Sequence, residues 1–155
     1  MPKPIYVLSG MSSNALDLRE RPVSGGESLA DVRRHGHAWS EALGLPVDFR
    51  RLHHSGNLAS WIKQARDQAA GISLSAEADT HTSLALRHAM SVDELPAPEL
   101  RLSNRFSRKA YGHLSCKTFA VRSVTCDLCG FRPQDQKFAL EAMAHILSDG
   151  RGGRA

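Results

Sequence analysis

Long apolar runs, cysteine, aromatic residues and one-signed charge are all scarce in this sequence, and each scarcity excludes a class. The apolar run near the start, Ile5 to Leu8, is four residues long, against about 20 for a bilayer-spanning helix and about 7–15 for the core of a secretory leader. No membrane partner is expected. Three cysteines, an odd number without a secretory leader, argue against a disulfide framework and for a reducing, cytoplasmic setting. Five Phe, two Tyr and two Trp are spread along the chain, so there is no stacking platform for single-stranded nucleic acid. Twenty basic against sixteen acidic side chains give a net charge of +4. These charges are scattered except at Arg33-Arg34 and Arg50-Arg51, which is too mild a footprint for nucleic acid binding. Cys126 and Cys129 have the spacing of a metal or redox pair, but no second CxxC or nearby His pair completes a zinc site. Ordinary thiols near a strand end are the plainer reading, and no metal is expected.

What is present suits one soluble domain: 155 residues, of which 41% are hydrophobic and 23% charged, with no internal repeat. Short apolar runs alternate with longer amphipathic segments, the pattern of βαβ units around a parallel sheet. Ile5–Ser9 reads as a first strand. Residues 10–26 form a long Gly-, Ser- and Pro-containing loop, a length that marks function or mobility. Ser28 with Asp31 makes a capping box for a helix reaching about Leu43. Gly36 weakens that helix by roughly 1 kcal/mol relative to Ala, and Gly44 ends it. Residues 46–51 read as the second strand.

The next helix spans residues 58–70, with Leu58, Trp61, Ile62, Ala65 and Ala69 on one face at helical spacing. That stripe reads as core. Residues 71–75 form the third strand, 83–90 a short helix, 99–102 the fourth strand and 120–125 the fifth. Phe138, Ala139, Ala142, Met143 and Ile146 make the apolar stripe of a last helix. The domain is expected to end near residue 148, and the Gly-rich residues 149–155 read as a disordered tail.

Right-handed crossovers arrange five such strands most simply as 2-1-3-4-5, a flavodoxin-like three-layer α/β sandwich. Ligands then sit beyond the carboxyl ends of strands 1 and 3, where the order reverses. The loops arriving there are 10–26, 76–82 and 103–112.

Those loops carry familiar stretches. Thr80-His81-Thr82-Ser83 followed by Ala85-Leu86-Arg87, and Leu102-Ser103-Asn104 with Arg108, resemble two signatures of the type II 3-dehydroquinate dehydratases. Asp48-Phe49-Arg50, Trp61-Ile62 with Ala65-Arg66-Asp67, and Arg19-Glu20 look like the same family. The resemblance runs over residues 3–147. It implies a cofactor-free lyase of the shikimate pathway, converting 3-dehydroquinate to 3-dehydroshikimate through an enolate. It also implies a small-molecule carboxylate as substrate, and a homo-oligomer built from trimers, commonly a dodecamer.

In the family a loop Tyr with a neighbouring Arg takes the proton, an Asn holds the water at the enolate, and a His oriented by a Glu protonates the leaving hydroxyl. By resemblance, Arg19 and Glu99 keep two of these positions. The other three are substituted: Ser24 stands for the Tyr, Ser12 for the Asn and Arg101 for the His. An isolated serine hydroxyl is far less acidic than tyrosine, whose ordinary pKa is about 10. Arginine, with a pKa above about 12, is a poor general acid. General acid and base groups contribute about 10²–10⁴-fold each, so a barely active or inactive member is expected. A slow or re-specialised lyase using water or His88 is the alternative.

The substrate-binding positions implied by the resemblance are Ser75 (for Asn), His81, His88 (for Asp), Leu102, Ser103 and Gly112 (for Arg). About three residues look inserted between Cys126 and Gln136. His81, Ser103 and Asn104 suit capping as well as ligand roles, Glu99 and Arg101 suit an internal ion pair, and His53-His54 suit a solvated loop.

Overall fold

The computed structural model describes residues 1–9, 28–51, 55–75, 84–92, 95–101, 126–129 and 134–149. Their order is β1 (Ile5–Ser9), α1 (Leu29–Leu43), β2 (Val47–Arg51), α2 (Ser55–Gln68), β3 (Gly71–Ser75), α3 (Leu84–Val92), β4 (Pro98–Arg101), β5 (Cys126–Cys129) and α4 (Gln134–Ser148). The strands pair in parallel as β2-β1-β3-β4-β5. β1 lies at the centre, with Ile5 opposite both Val47 and Gly71, and Ser9 opposite both Arg51 and Ser75. The parallel sheet and the 2-1-3 order around β1 are those expected from the alternation of runs.

Period-two alternation decides which helices cover which face. Tyr6 and Leu8 face α2 and α3, in a cluster with Leu58, Ile62, Ala65 and Leu74. Ile5 and Val7 face the other way, against Leu140 and Met143 of α4 and Trp39 and Phe49. On β3 the residues in register with Ile5 and Val7 are Gly71 and Ser73. Small residues there let α4 come close: a Cβ on Gly71 would strike the Met143 methyl.

The predicted α2 stripe is core, with Leu58, Ile62, Ala65 and Ala69 buried. The α4 stripe is rotated from the one expected. Phe138 is 38% exposed, and the buried residues are Asp135, Gln136, Ala139, Leu140 and Met143. The buried face runs 135-136-139-140-143, so two polar residues occupy its start, ahead of the apolar ones.

Each end of α1 is fixed as its sequence dictates. Ser28 Oγ accepts from the Asp31 N–H at 3.2 Å and donates to Asp31 Oδ2 at 2.7 Å, while the Ser28 N–H donates to the same carboxylate at 3.2 Å. The hydrogen bonds from Ser28 hold the Asp31 carboxyl below its ordinary pKa. Gly44 closes the helix at φ 65° in the left-handed region, where L-residues with a Cβ are strained. Gly36 is not a flaw in α1 but the condition of its packing. A Cβ there would lie 2.5 Å from Phe49 Cζ and 2.9 Å from Gln136 Nε2.

Residues 120–125, expected as the fifth strand, lie outside the described residues; the strand found there is β5, Cys126–Cys129. Extended backbone rises about 3.3 Å per residue, separating the two cysteine α-carbons by roughly 10 Å. A disulfide tolerates at most about 7 Å, a shorter span than this stretch of strand gives. The tail beyond residue 149 also lies outside the described residues.

Candidate active site

In a parallel sheet all carboxyl ends share one edge, here formed by Ser9, Arg51, Ser75, Arg101 and Cys129. The strand order reverses between β1 and β3, and crevices form at such a switch point. Ser9 and Ser75 sit side by side on it. A cavity of about 270 Å³ opens there, walled by Val7, Val32 and Phe49 and carrying Ser9, Ser75, Arg33, Arg50, Arg51 and Gln136 as its polar residues. The volume lies just under the range of about 300–1,000 Å³ common for ligand pockets.

Ser75 is the implied substrate-binding residue that lines this cavity; it is 5% exposed. Glu99 and Arg101 belong to β4, whose last residue reaches the same edge. His88 is exposed on α3 and does not line the cavity. Arg19, Ser24, Ser12, His81, Leu102, Ser103 and Gly112 lie outside the described residues, as do His53 and His54. Among the described residues no three His, Cys, Asp or Glu side chains cluster to hold a metal ion. No helix described is long and apolar enough to cross a membrane.

The family described as dehydroquinase class II matches residues 3–144. The chain belongs to the class II dehydroquinase family. It is 37% identical over 148 residues to a 3-dehydroquinate dehydratase of Rhizobium johnstonii, covering 96% of this chain and 100% of that one. It is 40% identical over 145 residues to a 3-dehydroquinate dehydratase of Rhodopseudomonas palustris, covering 93% and 94%. Its fold is similar to that of a type II dehydroquinase from Propionibacterium acnes, with a TM-score of 0.84, 26% identity, and 94% and 98% of the two chains covered.

Of the cavity wall, Ser75 is a position that the resemblance marked, with serine standing where the family has Asn; the rest of the wall was not marked. Arg33, Arg51 and Gln136 are none of the positions the family's motifs point to. Two of the three left a signal in the sequence. Arg51 follows Val47 and Phe49 at strand period, so it shares their face, and Gln136 interrupts an apolar helix stripe at the helix's first turn.

Arg50 and Arg51 form one basic dipeptide in sequence but belong to opposite faces. Arg50 lies over Tyr6, 3.9 Å from its ring centroid, and donates to Asp48 at 2.9 Å and Gln64 at 2.7 Å. It ties β2 to α2. Arg51 is exposed at the strand end and borders the cavity. The other dipeptide divides likewise: Arg34 pairs with Asp31 at 2.8 Å, whereas Arg33 lies 5.9 Å from the Phe49 centroid at the cavity. No extended basic face forms from these residues.

Proposed function

We propose that this chain is a class II dehydroquinase in which the binding edge survives and the dehydration of 3-dehydroquinate has been lost or nearly lost. One observation carries the reading. In a chain collinear with 3-dehydroquinate dehydratases over 96% of its length, three of the five catalytic positions implied by the family hold Ser24, Ser12 and Arg101. Ser24 has no chemistry to take a proton α to a carbonyl, Ser12 is too short to hold the enolate's water as an Asn would, and Arg101 keeps its proton. Arg19 and Glu99 remain, and with Ser75, His81, His88, Leu102, Ser103 and Gly112 they form the proposed site. The ligand is a small polyhydroxy carboxylate, no cofactor takes part, and the protein works in the cytoplasm as a homo-oligomer of trimers.

An identity of 37–40% to named dehydratases favours a second reading, a slow or re-specialised lyase that moves protons through water or His88. Within one chain His88 sits away from the cavity wall, which weighs against its part in that reading. Absorbance of the conjugated enone product, followed with micromolar protein and 3-dehydroquinate, separates the two. Negligible turnover is expected. A rate within about tenfold of ordinary enzymes, whose kcat is commonly ~1–10³ s⁻¹, would overturn the proposal.

A further inference from the structure

We infer that the flank of the cavity between α1 and α4 is the anion seat of this site, with Arg33 and Arg51 receiving the carboxylate of a small ring-bearing acid and the Gln136 amide hydrogen-bonding its polar substituents. The inference rests on the reading that the carboxyl edge takes a carboxylate, and it assigns three residues that the family's motifs do not mark.

Gln136 supplies the first observation. It is 2% exposed and it lines the cavity. A buried amide needs hydrogen-bond partners, so a glutamine placed on the cavity wall at the start of an otherwise apolar stripe suits an occupant with polar substituents. Gly36 reserves the space: the Cβ of any other residue would come within 2.9 Å of Gln136 Nε2.

The second observation is the division of the basic pairs. Arg34 and Arg50 are held by Asp31 and Asp48 at 2.8 Å each, so Arg50, though it too lines the cavity, has its charge matched. Arg33 and Arg51 have no carboxylate partner among the described residues, and both border the cavity. The nearest acid in sequence, Asp31, is turned to Arg34 and to its own capping box. The buried Asp135 does not line the cavity. The N-terminus of α1 is already engaged by Ser28, so the seat consists of side chains and not of a helix end.

Beside these polar groups Val7, Val32 and Phe49 give the cavity an apolar lining, which fits the face of a carbocycle better than a phosphate or other compact inorganic anion. Two guanidinium groups suit a carboxylate, whose paired oxygens accept from the guanidinium fork.

Calorimetry with cyclohexanecarboxylate and quinate as probes tests the seat. The two acids share a charged end and a ring, and only quinate carries ring hydroxyls. Both are expected to bind the full chain. The double variant Arg33→Ala/Arg51→Ala lowers both affinities at least tenfold, while Arg34→Ala, which removes the same charge one residue outside the cavity, changes them less than about twofold. Gln136→Leu weakens quinate at least fivefold more than cyclohexanecarboxylate. Because Arg33 and Arg51 are exposed, the double variant keeps the test decisive even if Gln136→Leu fails to fold. Wild-type affinity in the double variant, or no binding of either acid by the wild type, overturns the inference. Arginine-dependent binding of both probes without any binding of 3-dehydroquinate would leave the seat standing and overturn the family substrate instead.

Discussion

The two faces of the sheet differ in what their helices bury. Under α2 and α3 lies an apolar layer whose few polar atoms are matched: Tyr6 donates to Gln68 at 3.0 Å, and Arg50 is held between Asp48, Gln64 and two aromatic rings. Under α1 and α4 the layer contains Ser73, Ser75, Asp135 and Gln136, all at most 5% exposed, and two glycines that set the helix approach. One face is packed for stability, and the other gives up apolar contact for a cavity.

That contrast can be broken by mutation, and the largest effect belongs to the apolar face. Ile62 is fully buried there. Ile62→Ala should cost about 2–5 kcal/mol from lost transfer energy and the cavity left behind, read from urea unfolding midpoints. A cost below about 1 kcal/mol would mean that this face carries no more of the stability than the other.

Next comes Gly36→Ala. Intrinsic helix preference alone favours alanine by roughly 1 kcal/mol, but its Cβ would collide with Phe49 and Gln136. Overpacking of this kind costs about 1–3 kcal/mol, so the variant is expected to be net less stable and to lose cavity volume. A variant more stable than wild type would show that α1 can shift away without loss.

A smaller effect is expected at the helix start. Ser28→Ala removes the cap and should cost about 1 kcal/mol near neutral pH. Its pH dependence has a sign. The Ser28 hydrogen bonds lower the Asp31 pKa in the folded state, so that contribution is present above the unfolded carboxyl's pKa and is lost as pH falls through the folded one. The gap between wild type and variant should therefore narrow in acid. A gap that widened would contradict the capping-box account of Asp31.

Least of all should Ser73→Ala matter. The Ser73 hydroxyl is fully buried without a hydrogen-bond partner, and removing an unsatisfied buried group is neutral or stabilising, by up to about 1 kcal/mol. A loss comparable with that of Ile62→Ala would erase the distinction between the faces.

Much of this fold was legible because its signals are local. Alternation placed Ile5–Ser9 and Gly71–Ser75, Ser28 and Gly44 marked both ends of α1, and the Leu58-Ile62-Ala65-Ala69 stripe gave α2 its buried face. The start of α4 was misread because hydrophobicity favours Phe138 over Gln136, whereas the small residues Gly71 and Ser73 determine which helix face comes close. The site was half legible. Strand order and motif resemblance led to the carboxyl edge and to Ser75. Strand period gave Arg51 its face and the helix stripe singled out Gln136, but neither signal led to the cavity; Arg33 differs from Arg34 and Arg51 from Arg50 in their pairing partners, and pairing is a tertiary property.

The most direct test of a site that kept its edge and lost its chemistry is the rate of enone formation from 3-dehydroquinate, measured side by side for the wild type and the variant Ser24→Tyr/Arg101→His/Ser12→Asn. Base, acid and enolate water act as a unit, so single repairs are strongly non-additive. Ser24→Tyr alone should remain within a few-fold of a negligible wild-type rate, while the triple variant gains about 10²-fold or more, the scale of one general acid or base group. A wild type that turns over at ordinary rates, with the triple variant no faster, would contradict the loss of chemistry at these three positions.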